Sequence, residues 1–274
     1  MKNSFKMQFR EIAVKKTTVA TYLAVLLFVA VNFSVNLLEN REIQYVSQMY
    51  DPIKKLTWSS WSVSGYYLMQ LFPLLAVFPT ATSWISEKNS GIHAYIRSRS
   101  GEREYWYGKM GAAFVISFLI FTVPFLLELL LSIICFPMQS AGDPSGFSYL
   151  ITVEEGTGYI LPQLFYSNKV LYAAVFILII GCVAGGFAVF NLFVTTLPGF
   201  RYKIFTFFPI YIFLFLLTVG ESWISPNESL YYGLLLTMFE SGNANYPLFA
   251  AVIVGMLAIS FLLAERKIRE GGVR

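Results

Sequence analysis

Apolar residues gather in six long runs, 18–38, 61–85, 110–136, 170–192, 204–224 and 247–264, and nearly all of the charge lies between them. Each run reaches or approaches the ~20 residues that an α-helix needs to cross a hydrocarbon core of ~30 Å, the sixth being the shortest. The pattern predicts an all-α polytopic membrane protein with six transmembrane helices. Ahead of the first run, Phe5, Phe9, Ile12 and Ala13 recur at helical spacing, with Lys2, Lys6, Arg10 and Lys16 turned largely away. That predicts an amphipathic helix within 1–17, lying in the headgroup plane; the alternative is a disordered basic tail that only fixes topology. Before the last run, Leu230, Leu234, Leu235 and Met238 fall on one face of a segment that opens on Pro226 and Asn227 and ends near Gly242. It predicts a short outer helix, interfacial or re-entrant, too short for a seventh span. Residues 137–169 carry the turn sequences GDPSG and EEGTG and read as an exposed irregular loop.

With 56% hydrophobic, 18% aromatic and 13% charged residues, a soluble globule is excluded. The charge adds an orientation. Sixteen of the twenty Lys and Arg residues fall before the first run, in 86–109, around Arg201 and Lys203, or in the C-terminal tail. Arg41, Lys54, Lys55 and Lys169 occupy the alternate connections, beside most of the non-membrane acids, among them Asp143, Glu154, Glu155, Glu228 and Glu240. The positive-inside rule then puts both termini and 86–109 in the cytoplasm of a bacterial cell, as an even number of spans requires. Basic clusters beside apolar spans need no nucleic acid to explain them. Cys135 and Cys182 both lie in apolar runs and imply no disulfide or zinc framework. The first run exceeds a signal-peptide core and no A-x-A-like site follows it, so it is expected to be retained.

Polar groups inside the runs are the next candidates. Glu128 sits deep in the third, Asn32 and Asn36 share a face of the first, Gln70 lies in the second and Asn191 in the fourth. A charge near mid-membrane costs ~3 kcal/mol or more, so Glu128 is expected to face the bundle interior or a water-filled path. The five residues either line a translocation path or serve as interhelical hydrogen-bond glue. Pro73, Pro79, Pro124 and Pro209 predict kinks, and Gly181, Gly185 and Gly186 a close helix approach. No catalytic set is expected. His93 stands alone, no H-E-x-x-H offers metal ligands, and no G-x-x-x-x-G-K-[ST] occurs, since Gly108 and Lys109 lack the preceding glycine.

The segment SEKNSGIHAYIRSRSGEREYWYGK, residues 86–109, breaks the apolar pattern most sharply. Gly91 and Gly101 bracket a short helix on which Ile92, Tyr95 and Ile96 form one apolar knob, with Arg97, Arg99 and Arg103 around it. Glu102 and Glu104 suit the start of a new helix running through Tyr105, Trp106 and Lys109 into the third span. From periodicity alone, an ordinary basic loop fits equally. The order Glu87, Gly91, Tyr95-Ile96, Arg103, Gly108, Lys109 resembles the E-x-x-x-G-T … L-L … P-x-x-R … G-K pattern between the second and third spans of ABC-2-type exporter permeases. Ile92 replaces the usual threonine, and Ser100 stands near the family's proline. The layout is similar as well: amphipathic N-terminal helix, six spans, short outer helix. The resemblance implies that 1–274 is one permease domain and that Glu87, Gly91, Ile92, Tyr95, Ile96, Arg97, Arg99, Arg103 and Lys109 form a coupling loop docking on a cytoplasmic ABC ATPase. It further implies a second permease subunit, identical or not, with ATP and Mg held by the ATPase and no cofactor in this chain. The cargo would be amphipathic or hydrophobic: a peptide, drug or lipid-like molecule. A non-transporting scaffold or sensor and a small channel are the rival readings.

Overall fold

A computed structural model describes residues 2–46, 49, 51–60, 62–138, 160–198, 200, 202–224, 227–238 and 244–272. Trp61, Arg201, Glu240, Gly242 and the GDPSG and EEGTG turns, with Asp143, Glu154 and Glu155, lie outside them. Among the described residues the chain is all-α: α1 (Lys2–Ala13), α2 (Lys16–Asn40), α3 (Val63–Val77), α4 (Ser83–Ser90), α5 (Ile92–Ser100), α6 (Glu102–Cys135), α7 (Pro162–Ser167), α8 (Lys169–Val194), α9 (Phe208–Ile224), α10 (Tyr232–Leu235) and α11 (Tyr246–Gly272). Four of these, α2, α6, α8 and α11, are long and apolar enough to cross a membrane.

The other two expected spans are shorter. α3 has 15 residues, ~22 Å of helix, and the expected run to Ile85 is divided after Val77. Pro79 has no N–H to continue the ladder, and the Thr80 N–H bonds Val77 O at 3.0 Å instead. α9 is preceded by a tighter 3₁₀ turn, Lys203–Phe207, in place of the first turn of the expected 204–224 helix. α11 runs on past the expected end at 264, through the basic tail.

α8 is the central helix: 72% of its most apolar window is buried, against 28% for α2 and 22% for α11. Its closest packing is on α6. A Cβ on Gly181 would stand 2.2 Å from Thr122 Oγ1, and one on Gly185 2.7 Å from the Phe114 ring, so the glycine pair seats α6 directly. The main core joins α2, α3, α6 and α8; a second cluster of Trp84, Ile85, Ile96, Tyr105, Trp106 and Phe193 lies at the end where the basic segments gather. That end is the basic end of the bundle.

α1 differs from a helix free in the headgroup plane. Its most buried positions are Ser4, Gln8 and Ile12, with Phe5 and Phe9 only half-buried, and it packs along the start of α6. The inward face is rotated by one residue because Gly108 admits only a small partner: a Cβ there would meet Ser4 Oγ at 2.9 Å and Phe5 N at 3.0 Å.

At the opposite end, the loop 51–62 dips into the bundle, burying Ile53, Leu56 and Trp58. The Trp58 ring meets Phe72 and Phe125 edge-on at 5.3 and 5.2 Å. α10 is a single turn, shorter than the expected interfacial or re-entrant helix, and Leu230, Leu235 and Met238 are core residues. Backbone bonds from Ser60 N to Met238 O (3.0 Å) and from Met238 N to Trp58 O (2.7 Å) pin the two loops together.

Candidate functional site

α5 stands at the basic end as a separate helix because glycines allow the chain to turn at both of its ends. Gly91 adopts φ 72°, and Gly101 combines φ 79° with ψ 153°, a conformation that side-chain-bearing residues hardly enter. Of the expected knob, Ile92 and Tyr95 point outward, 51% and 62% exposed, but Ile96 is buried at 8%. Ile96 is therefore the inward anchor of α5, packed with Trp84 and Trp106. The Arg99 guanidinium lies over the Tyr95 ring at 5.2 Å and Arg97 pairs with Glu102 across the Gly101 turn. Arg103 is exposed, 3.9 Å from Glu265 of α11, which also accepts from the Tyr107 hydroxyl.

Beneath α5 the two charged ends of the segment meet. Glu87 of α4 and Lys109 of α6 form an ion pair that is almost wholly buried, and the same carboxylate accepts the Tyr105 hydroxyl. Ser83 donates to Glu87 at 3.3 Å and itself accepts from Lys15, which pairs with Glu11 at 3.2 Å. α1, α4 and α6 are thereby joined through one polar network. A buried pair carries a large desolvation cost and is retained only where further hydrogen bonds satisfy it; the Tyr105 and Ser83 bonds do so here. Tyr105, Ser83, Lys15 and Glu11 are the members that sequence reading missed. Tyr105 lies four residues before Lys109 on one helix face, a spacing the sequence displays; Ser83 and Lys15 come from other elements and leave no such trace.

The five candidate path residues separate into three places. Glu128 is buried against loop 51–62: its Oε1 accepts from Asn32 Nδ2 (2.8 Å), Thr57 N (3.0 Å) and Thr57 Oγ1 (2.8 Å). Asn32 and Asn36 each donate to Lys55 O at 2.9 Å, and Ser62 Oγ donates to Asn32 Oδ1 at 2.7 Å. Gln70 is exposed on α3, where its amide reaches the Tyr231 hydroxyl at 3.3 Å. Asn191 lies near the basic end, its amide donating to Thr206 O at 2.8 Å. Asn32, Asn36 and Glu128 thus act together to hold an inward-folded loop, and Gln70 and Asn191 take no part in that contact. Next to Tyr231, burial and then the Tyr231 hydroxyl itself push the Tyr232 hydroxyl above its ordinary range. Among the described residues no group of three or more His, Cys, Asp or Glu side chains is placed to hold a metal ion. No family model matches this chain, and neither a curated protein nor a solved structure does.

Proposed function

We propose that this chain is a six-span permease subunit of an ATP-driven exporter of the ABC-2 type, with α3 and α9 as the two short spans and both termini in the cytoplasm. ATP and Mg belong to a separate ATPase, and a second permease subunit, identical or not, completes the pathway for an amphipathic or hydrophobic cargo. The observation that carries this reading is α5: a nine-residue helix set off by two positive-φ glycines, exposing Ile92 and Tyr95 at the basic end while Ile96 anchors it from beneath. Exposed apolar side chains on a rigidly mounted, arginine-rimmed helix suit a cleft on a soluble partner. Such anchors dominate interfaces, while rim charges such as Arg97 and Arg99 tune association rate and salt sensitivity.

The test is Ile92→Ala combined with Tyr95→Ala, which spares the buried Ile96. In cells making the tagged full-length chain, a Walker-motif ATPase should co-purify and hydrolyse ATP in reconstituted membranes. The double variant should lose ~2 kcal/mol or more of that association, roughly thirtyfold, while inserting normally. Retention of both ATPase and activity by the double variant sinks the coupling role. A non-transporting scaffold is the second reading, supported by the engagement of Glu128, Asn32 and Asn36 in holding loop 51–62 rather than in lining a path.

A further inference from the structure

Two outward stripes face each other across a groove between α2 and α3. On α2, Leu27, Val31 and Val35 recur every fourth residue, and on the antiparallel α3, Val63, Tyr67 and Leu71 do the same. All six are between 41% and 75% exposed. The groove has a volume of about 630 Å³. Its character changes along its length. The α2 stripe ends four residues beyond Val35 at Glu39, and Glu39 pairs with Lys55 at 2.8 Å across the groove's end. About 18 Å of helix separates Leu27 from Glu39. The Lys55 side chain is held in place from its own backbone, whose carbonyl accepts both Asn32 and Asn36 at 2.9 Å. In a membrane-crossing bundle this gradient follows the depth of one leaflet: hydrocarbon along the stripes, headgroup level at the charged pair.

We propose that the α2–α3 groove seats one phospholipid whose head carries a phosphate and a primary amine, with one of its acyl chains along the stripes. The pair at the mouth presents one cation and one anion side by side. A zwitterionic phosphoethanolamine head complements both at once, phosphate toward Lys55 and ammonium toward Glu39. A choline head has no N–H to donate to the carboxylate, and a glycerol head leaves the Glu39 charge without a counterpart in the head. This site does not depend on the exporter reading, only on the chain lying in a bilayer.

The experiment reconstitutes the full chain in nanodiscs containing equal parts of phosphatidylethanolamine, phosphatidylcholine and phosphatidylglycerol, one of the three at a time carrying an acyl-chain diazirine. Cross-linked residues are mapped by mass spectrometry. The ethanolamine lipid is expected to label the Val31 and Tyr67 region preferentially. Glu39→Gln should cut that preference roughly tenfold, the loss that follows from one charge-assisted hydrogen bond. Val31→Trp and, separately, Val35→Trp should abolish labelling there with the melting midpoint unchanged, since both side chains point outward. Equal labelling by the three lipids would overturn the proposal. So would efficient disulfide cross-linking between two copies bearing Val31→Cys, because the groove would then be filled by protein.

Discussion

Glu128 illustrates how much of a buried charge a sequence discloses. Its depth in an apolar run announces that it must turn inward, and it does. What it meets there was not legible, because Thr57 sits in a connection with no helical period and nothing in the order of residues says that this connection folds back into the bundle. The partners reverse the usual expectation for a buried charge, that a well-fitting apolar residue replaces it at little cost. Glu128 Oε1 collects an N–H and a hydroxyl from Thr57 and an amide N–H from Asn32, so Glu128→Leu strands the Thr57 donors. Leaving a buried donor unsatisfied costs about 1–3 kcal/mol. Glu128→Gln keeps a carbonyl oxygen at that position and removes a charge that the described contacts do not pair. The expected order of thermal stability for the detergent-purified protein is therefore wild type close to Glu128→Gln, with Glu128→Leu clearly lower. A Leu variant as stable as Gln would show that the loop is not held by this carboxylate.

The basic end makes the same point for elements. The glycines at 91 and 101 and the acidic start of α6 were readable as turn and helix signals, and α5 spans Ile92–Ser100 between them. Its apolar positions 92, 95 and 96 were readable too, but not their division. On a helix of nine residues the three lie within an arc of about 100°, and the pivot at Gly91 decides which of them faces Trp84 and Trp106. Ile96 does, so a variant that truncates Tyr95 and Ile96 together would confound docking with the collapse of α5, at ~2–5 kcal/mol for the buried side chain alone. Beneath it, Glu87 and Lys109 couple α4 to α6. Lys109→Met leaves the Glu87 carboxylate buried and unpaired, a change that typically costs about 3–5 kcal/mol. Adding Glu87→Gln removes that orphan charge and still offers Tyr105 an acceptor. The double variant should therefore melt higher than Lys109→Met alone. If the two changes are instead additive, the pair is not coupled and α4 is held by its apolar contacts.

At the scale of the molecule, the charge asymmetry and the fold put the same segments at one end. Lys15 reaches Ser83, Arg103 approaches Glu265, and α1 lies along the start of α6, which gathers the N-terminal segment, 86–109 and the C-terminal tail at one end. Asp51 pairs with Lys169, and the Trp58 and Met238 backbones bond to each other, which gathers the poorer-in-lysine connections at the other. Helix lengths were less legible. The apolar run 61–85 looked continuous, since Phe78 and Ala81 are as hydrophobic as their neighbours, yet the backbone turns at Pro79. Whether α3 still crosses can be settled together with orientation. Single cysteines replacing Arg99 and Arg266 mark the basic end, and one replacing Glu228 marks the other, in a background where Cys135 and Cys182 are changed to Ala. With six crossings and the positive-inside rule obeyed, a membrane-impermeant maleimide added to intact cells should label only the Glu228 site, and all three after permeabilisation. Labelling of the Arg99 and Glu228 sites in intact cells with the Arg266 site still protected would mean that neither α3 nor α9 crosses, leaving the four long spans. Labelling of both basic-end sites with the Glu228 site protected would mean that α3 alone fails to cross or that the bundle is inverted, either of which overturns the assignment.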